Sequence, residues 1–257
     1  MTAHDQENWP HAEAPFTPQS ERSEPRKEIL PKRAAATAGF LLGCIPRRRS
    51  GRRALGVLTV LMAMSGVLLL TYPLVTDFWA KQRQNTLKNQ FASEQIVDAY
   101  KRREIAVGGA LTRLRIPKFG ACANCKRVNV IVVEGTTGNA LRAGAGHYTT
   151  TPLPGERGNV AIAGHRTGFG EPFRWLDKLR AGDQIILETP VGNYFYEVMP
   201  EVDGHRNPWI THPKDFSVIA PTQEAVLTLT TCDPPHTSKD RLIVRAKLIS
   251  SQVVPQS

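Results

Sequence analysis

The chain has 257 residues and a formal net charge of +10, from 33 basic and 23 acidic side chains. Residues 1–53 carry 10 basic and 6 acidic side chains, and residues 76–257 carry 23 and 17. Since the only dense basic cluster, residues 47–53, flanks an apolar run, attraction to lipid explains it better than nucleic-acid binding, which the composition argues against.

The first 53 residues are rich in Pro, Glu, Arg and Ser. Their one apolar patch, residues 34–46, is too short to span a bilayer or to bury a core. This composition predicts that residues 1–53 form a disordered cytoplasmic tail.

Residues 54–75 form an uncharged run of 22 residues. As a helix the run would measure about 33 Å, against a hydrocarbon core of about 30 Å. It is longer than the apolar part of a signal peptide, and no A-x-A-like cleavage site closes it. Because the heavier positive flank precedes the run, we predict a single-pass protein of the cell membrane with a cytoplasmic N-terminus and residues 76–257 outside.

The remaining chain changes character near residue 108. Residues 76–107 have apolar positions near a helical period and predict a helical stalk or an arm packed on the next domain. Residues 108–257 contain short β-rich runs separated by turn residues, which predicts one mainly β domain. Strands are predicted at residues 111–117, 128–134, 159–163, 184–188, 194–198, 225–231 and 242–248, with a short helix at residues 172–179.

The four cysteines differ in their surroundings. Cys44 lies in the predicted cytoplasmic tail, Cys122 and Cys125 form a C-x-x-C, and Cys232 stands alone at the end of a predicted strand. An extracellular loop disulfide, a redox motif and half of a zinc site all stay open for the C-x-x-C. The disulfide is favoured because no second cysteine pair or histidine set completes a metal site, and neither a metal nor a cofactor is predicted.

Cys232 has the surroundings of a reactive thiol. In a strand of period two it shares a polar face with Thr228 and Thr230, and the Asp-Pro-Pro that follows ends the strand. A thiol with a pKa of about 8.5 needs a proton partner and a nearby positive charge to act as a nucleophile. His165, after another predicted strand, and Arg241, nine residues beyond the cysteine, supply these groups.

These residues form a recognisable signature. TLTTC (228–232), Arg241 at the start of the next strand and the upstream GNVAIAGHR (158–166) resemble the TLxTC motif of the sortase family with its paired His and Arg. The resemblance covers residues 110–250. It implies an eight-stranded β-barrel with short helices, and since only seven strands are predicted, we expect the eighth within residues 139–156.

A subclass is also indicated. Gly146-His147-Tyr148, Leu153-Pro154-Gly155 and the segment after His165 are most similar to the class E sortases of high-GC Gram-positive bacteria. Class E members are associated with sorting signals of the Leu-Ala-x-Thr-Gly type, and Leu-Pro-x-Thr-Gly is the more general form. The sequence does not choose between them.

The resemblance implies a transpeptidase mechanism. Cys232 would attack the Thr–Gly bond of a sorting signal near the C-terminus of a secreted protein, and His165 would protonate the departing amine. An amine of a peptidoglycan precursor would then accept the Thr. Arg241 presents a charged donor fork suited to the developing oxyanion. The partners are therefore secreted proteins, a cell-wall precursor and membrane lipid.

Three further residues are assigned to substrate binding on weaker grounds. Thr231 directly precedes the nucleophile, although strand alternation points its side chain away from Cys232. His147 and Tyr148 lie in a glycine-rich stretch and are consistent with either a groove-lining or a structural role.

Two alternatives are another cysteine enzyme of the cell wall and a non-catalytic surface scaffold that retains the barrel. Among the cysteine enzymes, L,D-transpeptidases and papain-like peptidases place their cysteine differently relative to the histidine, and neither pattern fits a cysteine that ends a strand after the histidine. The scaffold is the second alternative. The intact set of Cys232, His165 and Arg241 argues against it.

Overall fold

The computed structural model describes residues 49–121, 125 and 127–253. Almost all of the predicted cytoplasmic tail lies outside these residues. The first described element is a long helix, α1 (Arg49–Phe91), of 43 residues. Within the described residues, this is the one helix long and apolar enough to cross a membrane. The predicted border between span and stalk, at residue 75, falls inside this helix and does not interrupt it.

The two halves of α1 have different surroundings. The large apolar side chains of residues 55–75 are exposed, with Leu69 and Leu70 at 74% and 78% of their full accessible surface. Apolar side chains exposed on all sides of a helix are expected to face lipid. Beyond residue 76 the helix packs on the β domain: Leu87 is buried against a cluster that contains Ile131 and Val133. A second helix, α2 (Glu94–Arg102), follows and buries Ile96 and Tyr100.

Gln84 attaches α1 to the barrel wall. Its Nε2 donates to the carbonyl oxygens of Ile131 at 3.0 Å and Ala143 at 2.7 Å, and its Oε1 accepts from the Ile131 amide at 2.8 Å. Gly144 leaves room for this amide, since a Cβ at that position would lie 2.5 Å from Nε2. One side chain thus satisfies three backbone groups that the helix would otherwise cover.

We expect Gln84→Ala to lower the free energy of unfolding by about 2–3 kcal/mol, because part-buried backbone groups lose their partners. Chemical denaturation of the detergent-solubilised chain measures this effect. Gln82→Ala, an exposed glutamine of the same helix, is the matched control. A change for Gln84→Ala no larger than that of the control would contradict the attachment.

In the part of the β domain that the structure describes there are eleven strands and two short helices. The strands are β1 (Ala110–Ile116), β2 (Val128–Glu134), β3 (Ala145–His147), β4 (Gly158–Gly164), β5 (Gln184–Thr189), β6 (Gly192–Val198), β7 (Glu201–Val202), β8 (His205–Arg206), β9 (Trp209–Thr211), β10 (Ala225–Asp233) and β11 (Asp240–Val253). The helices are α3 (Lys118–Ala121) and α4 (Gly138–Ala143), and single 3₁₀ turns occur at Leu176–Lys178 and Phe216–Ile219.

Eight of the strands close into a mixed barrel. The order is β10-β4-β3-β2-β1-β5-β6-β11, and pairing of β10 with β11 closes the ring. The pairs β10–β4 and β2–β3 are parallel, and the others are antiparallel. β9 adds to β11, and β7 and β8 form a separate ribbon. The predicted eight-stranded barrel is confirmed, and β3 lies in the segment 139–156 where the missing strand was expected.

The helix predicted at residues 172–179 is wrong. The structure has only one 3₁₀ turn there, although the apolar residues Phe173, Leu176 and Leu179 are fully buried. The Phe173 amide donates to the His165 carbonyl at 3.1 Å, which ties the segment to the end of β4. The apolar spacing reflects the burial of these three side chains in the core. Their burial does not require a helix.

Strand alternation sets the two faces of β10. Leu227 and Leu229 point into the core, together with apolar residues of β4 and β11. Thr228, Thr230 and Cys232 therefore lie on the outer face. The polar face predicted from the sequence is the outside of the barrel wall.

Candidate active site

Three neighbouring strands bring the three predicted catalytic residues into one row. Arg241, near the start of β11, is the direct antiparallel partner of Cys232 on β10. Parallel pairing on the other side of β10 sets Thr230 opposite Ala163 of β4. His165 directly follows the last residue of β4, and Cys232 lies two residues beyond Thr230. Since adjacent strands are about 4.8 Å apart, Arg241 flanks the Cys232 backbone at one strand spacing, and both His165 and Cys232 line the same groove.

Cys232 is a half-buried free thiol. It opens into a groove, here called the histidine-side groove, lined by His165, Arg166, Thr167, Cys232, His236, Thr237 and Ser238. A thiol at the end of a strand, in a groove with polar walls, is accessible to a substrate. It is not sealed in the core.

Arg241 faces a neighbouring groove, the arginine-side groove. This groove is lined by Tyr148, Thr211, Pro213, Asp215, Phe216, Val218, Ile219, Thr230, Arg241 and Ile243. Nη1 of Arg241 donates to the carbonyl oxygens of Ser238 at 3.1 Å and Asp240 at 3.0 Å. In the described part of the chain no carboxylate pairs with this guanidinium, so its charge is available to a ligand. Cys232 of the histidine-side groove and Arg241 of this groove are paired residues of neighbouring strands.

His165 is half-buried at the end of β4. The glycine before it permits a close approach, because a Cβ on Gly164 would lie 2.6 Å from the Phe173 ring. Burial, and then the positive charge of Arg142, lower the pKa of His165 below its ordinary value of 6.5. The neutral imidazole is therefore the favoured form at neutral pH.

Phe169 covers the His165 ring. Their ring centres are 5.2 Å apart, and the Arg142 guanidinium carbon lies 5.9 Å from the centre of the Phe169 ring. Phe169 has a φ of +49°, between two glycines that also have positive φ. Sequence reasoning missed this phenylalanine. Its flanking glycines signal a turn, but nothing in the sequence shows that the turn folds back over the histidine.

Arg142→Gln should raise the pKa of His165, because it removes a like charge. NMR titration that follows the carbon-bound Cε1 proton of His165 measures the pKa shift, and Arg206→Gln on β8 is the control. An unchanged or lowered pKa in Arg142→Gln would contradict this account.

The lowered pKa also makes stability depend on pH. Because the imidazole of His165 binds a proton more weakly in the folded protein than in the unfolded chain, it contributes stability above pH 6.5 that is lost as the pH falls through its folded pKa.

A buried ion pair joins the residues that follow the histidine and the cysteine. Nη1 of Arg166 donates to the Asp233 carboxylate, and it lies 3.4 Å from the Cys232 carbonyl oxygen. The Arg166 residue is only 6% exposed, and its Nη2 lies 3.4 Å from Asp177. The pair fixes the ends of β4 and β10 together. Sequence reasoning missed it, although opposite charges next to the two predicted catalytic residues are a usable signal.

Thr231 does not line a groove. It is buried, and its Oγ1 donates to the Gly164 carbonyl oxygen at 2.8 Å. The direction predicted from strand alternation agrees with this position, and a contact of Thr231 with the substrate stays a prediction. Thr231 holds the backbone immediately before His165.

His147 and Tyr148 separate to opposite faces. His147 is 1% exposed, with Nδ1 3.0 Å from Glu134 Oε2 and Nε2 3.0 Å from the Pro152 carbonyl oxygen. Of the two roles that the sequence leaves open for His147, its burial and these partners favour the structural one. Tyr148 is half-buried in the arginine-side groove, and its hydroxyl lies 3.5 Å from Thr230 Oγ1. Of the two residues, Tyr148 is the one that lines the arginine-side groove.

Cys125 is disulfide-bonded in the structure. Cys122 lies outside the described residues, so the pairing of Cys122 with Cys125 stays a prediction.

A family model described as a sortase domain matches residues 114–249. The chain belongs to the sortase family. Sortase SrtE1 of Streptomyces coelicolor is 31% identical over 219 residues, which cover 78% of this chain and 58% of that protein. The chain thus spans less than two thirds of that relative. Sortase SrtE2 of the same organism is 28% identical over 226 residues, which cover 81% of this chain and 88% of the relative.

A solved structure supports the barrel. A Clostridium perfringens sortase D5 transpeptidase is 31% identical, with a TM-score of 0.53 over 66% of this chain and 98% of that one. The similarity to class E sortases seen in the sequence agrees with the two Streptomyces relatives. The region that identifies this sortase contains His165, Cys232 and Arg241.

Proposed function

We propose that this sortase is a membrane-anchored cysteine transpeptidase. It cleaves a C-terminal sorting signal between Thr and Gly and joins the Thr to an amine of a cell-wall precursor. The observation that carries the proposal is that His165, Cys232 and Arg241 lie at the neighbouring ends of the three adjacent strands β4, β10 and β11. A nucleophile, a proton carrier and an oxyanion donor close together are the groups that acyl transfer requires.

In the first half-reaction His165 takes the proton of the Cys232 thiol, and the resulting thiolate adds to the carbonyl carbon of the Thr residue in the signal. The negative charge that develops on the carbonyl oxygen is stabilised by Arg241. As the C–N bond breaks, His165 gives a proton to the leaving glycine amine, and a thioester to Cys232 remains. The unpaired guanidinium in the arginine-side groove supports this role.

In the second half-reaction an acceptor amine attacks the thioester carbonyl. His165 takes a proton from the amine, the C–S bond breaks, and His165 passes the proton to the departing thiolate, which restores the thiol and the neutral imidazole. One peptide bond is broken and one is formed, so the exchange needs no external energy source. The acceptor we propose is the stem-peptide amine of a peptidoglycan precursor.

The two grooves divide the substrate between them. Phe216, Ile219 and Ile243 give the arginine-side groove an apolar wall that suits the Leu at the start of a sorting signal. Tyr148 lies in the same groove and is the residue we assign to substrate binding. The polar histidine-side groove is left for the departing glycine end and the incoming amine.

The proposed topology places the N-terminus in the cytoplasm and the barrel outside. The arginine cluster before the span supports this orientation. The disulfide at Cys125 supports it as well, because disulfides persist in oxidising compartments outside the cytoplasm. We propose that residues 76–107 act as part of the catalytic unit, since α1 and α2 pack on the barrel.

Full-length protein in detergent, incubated with a library of sorting pentapeptides that includes Leu-Ala-x-Thr-Gly and Leu-Pro-x-Thr-Gly forms, tests the proposal. Mass spectrometry should detect a thioester on Cys232 that lacks the glycine fragment. Added amine should resolve it to a new peptide product. A folded protein that forms no adduct and cleaves no peptide would favour the non-catalytic scaffold.

A further inference from the structure

A separate cleft lies between α1 and the barrel, away from the catalytic row. Its volume is about 460 Å³. It is lined by one face of α1, the start of β2 and the loop after His165, with Asp77, Phe78, Ala80, Lys81, Gln84, Lys88, Arg127, Val128, Asn129, Val130, Gly144, Phe169, Gly170, Glu171 and Pro172. We call it the helix cleft.

The α1 face of the cleft carries charge. Asp77, Lys81, Gln84 and Lys88 follow one another at steps of four, three and four residues, which is the spacing of one helical face. Gln84 fixes that face against the barrel, so the two lysines are held beside the cleft. Arg127 approaches from the barrel side.

The carboxylates of the cleft are already occupied. Asp77 accepts from the Gly170 amide at 3.0 Å, and Glu171 pairs with Arg174 at 2.8 Å. Within residues 49–121, 125 and 127–253, no carboxylate pairs with Lys81, Lys88 or Arg127. The cleft therefore has three cations available to an anionic ligand.

The cleft begins at the membrane surface. Asp77 is two residues beyond the uncharged run 54–75, and Lys81 lies about 9 Å along the helix from the end of that run. The lipid headgroup layer adds about 5–8 Å to each side of the hydrocarbon core. Phe78 and Trp79 are 70% and 46% exposed at this level, as expected of aromatic residues at a membrane interface.

Side-chain direction extends the reach of Lys81 toward the bilayer. Helical side chains tilt toward the N-terminus of the helix, and in α1 the N-terminal direction leads into the membrane. Lys81 thus inclines toward the headgroup layer, while Lys88, about 20 Å along the helix from the end of the run, adds positive charge deeper in the cleft. The apolar part of the lining, which includes Phe78, Val130 and Pro172, suits the glycerol and upper acyl carbons of a lipid.

We propose that the helix cleft binds the phosphate headgroup of an anionic phospholipid, with the acyl chains remaining in the bilayer beside α1. Lys81, Lys88 and Arg127 supply the positive charge. The inference rests on the membrane location of residues 54–75 and is independent of the transpeptidase activity. One phospholipid would then be a bound ligand of the protein, in addition to the bilayer lipids that surround residues 54–75.

Native mass spectrometry of the full chain, released from detergent with dioleoyl-phosphatidylglycerol or dioleoyl-phosphatidylcholine, tests the proposal. We expect the parent to retain one phosphatidylglycerol and to release phosphatidylcholine. The triple variant Lys81→Gln, Lys88→Gln, Arg127→Gln should lower phosphatidylglycerol occupancy at least about tenfold, because each basic group near an anionic lipid contributes to binding.

The matched control is Arg83→Gln, Lys214→Gln, Lys239→Gln, which removes the same charge from exposed positions outside the cleft lining. It should bind phosphatidylglycerol like the parent. Equal retention by both triple variants, or equal loss from both, would overturn the cleft as the site. Retention of added inorganic phosphate in place of lipid would overturn the assignment to a phospholipid. Thermal unfolding confirms that each variant is folded.

Discussion

Replacing Cys232 with alanine should abolish thioester formation and lower turnover of a sorting peptide by about 10⁴-fold or more, as found when a catalytic nucleophile is removed from other acyl-transfer enzymes. No other cysteine among the described residues is free, and no other side chain occupies the same position in the row. Intact-protein mass spectrometry measures the adduct, and fluorogenic peptide cleavage measures turnover.

Cys232→Ser is the matched variant, because it keeps the shape of the groove and exchanges the sulfur for a poorer nucleophile. Both variants should bind the peptide and unfold at the temperature of the parent. An adduct that persists in Cys232→Ala would show that another residue is the nucleophile. Loss of folding would be read from the unfolding curve and separated from loss of chemistry.

Replacing Arg241 with glutamine should lower kcat/KM by about 10²- to 10³-fold, the usual effect of removing one oxyanion donor. The expected loss is in kcat, because the guanidinium interacts most strongly with charge that develops during the reaction. Arg241→Lys should recover only part of the rate, since an ammonium restores the charge but not the planar donor fork. Steady-state kinetics with one peptide substrate measures the changes in kcat and KM separately.

Lys247→Gln, an exposed cation on the same strand, is the control for a general charge effect and should retain parental kinetics. An increase in KM for Arg241→Gln with kcat unchanged would contradict the oxyanion role and would assign Arg241 to substrate anchoring. Because Arg241 makes only backbone contacts in the described protein, its replacement should change stability little.

The local part of the site could be predicted from the sequence. Alternation fixes the outward face of Cys232, and the short loop to Arg241 predicts an antiparallel neighbour. His165 is different, because its strand pairs in parallel with β10 and the connection runs through five intervening strands. From the sequence, only the family resemblance predicts that His165 lies close to Cys232.

The features that sequence reasoning missed or misassigned depend on long-range contacts. The Arg166–Asp233 pair and the Phe169 ring over His165 join segments that local periodicity treats separately. The sequence leaves a groove-lining and a structural role open for His147, and its contacts with Glu134 and Pro152 come from elements on either side. The short strands β7, β8 and β9 have two or three residues each, too few for a pattern of period two to be read.

With residues 54–75 in the bilayer, as proposed, the unbroken α1 helix would set the distance from the membrane at which the barrel works. A flexible tether would allow many distances and orientations, whereas a continuous helix attached to the barrel through Gln84 would hold it at one distance. The Asp77 contact to Gly170 would then keep the loop beside His165 close to the lipid surface. Clients that still carry a membrane-embedded tail would meet the thiol by lateral diffusion in a thin layer, so their surface density, and not their bulk concentration, would set the rate of encounter.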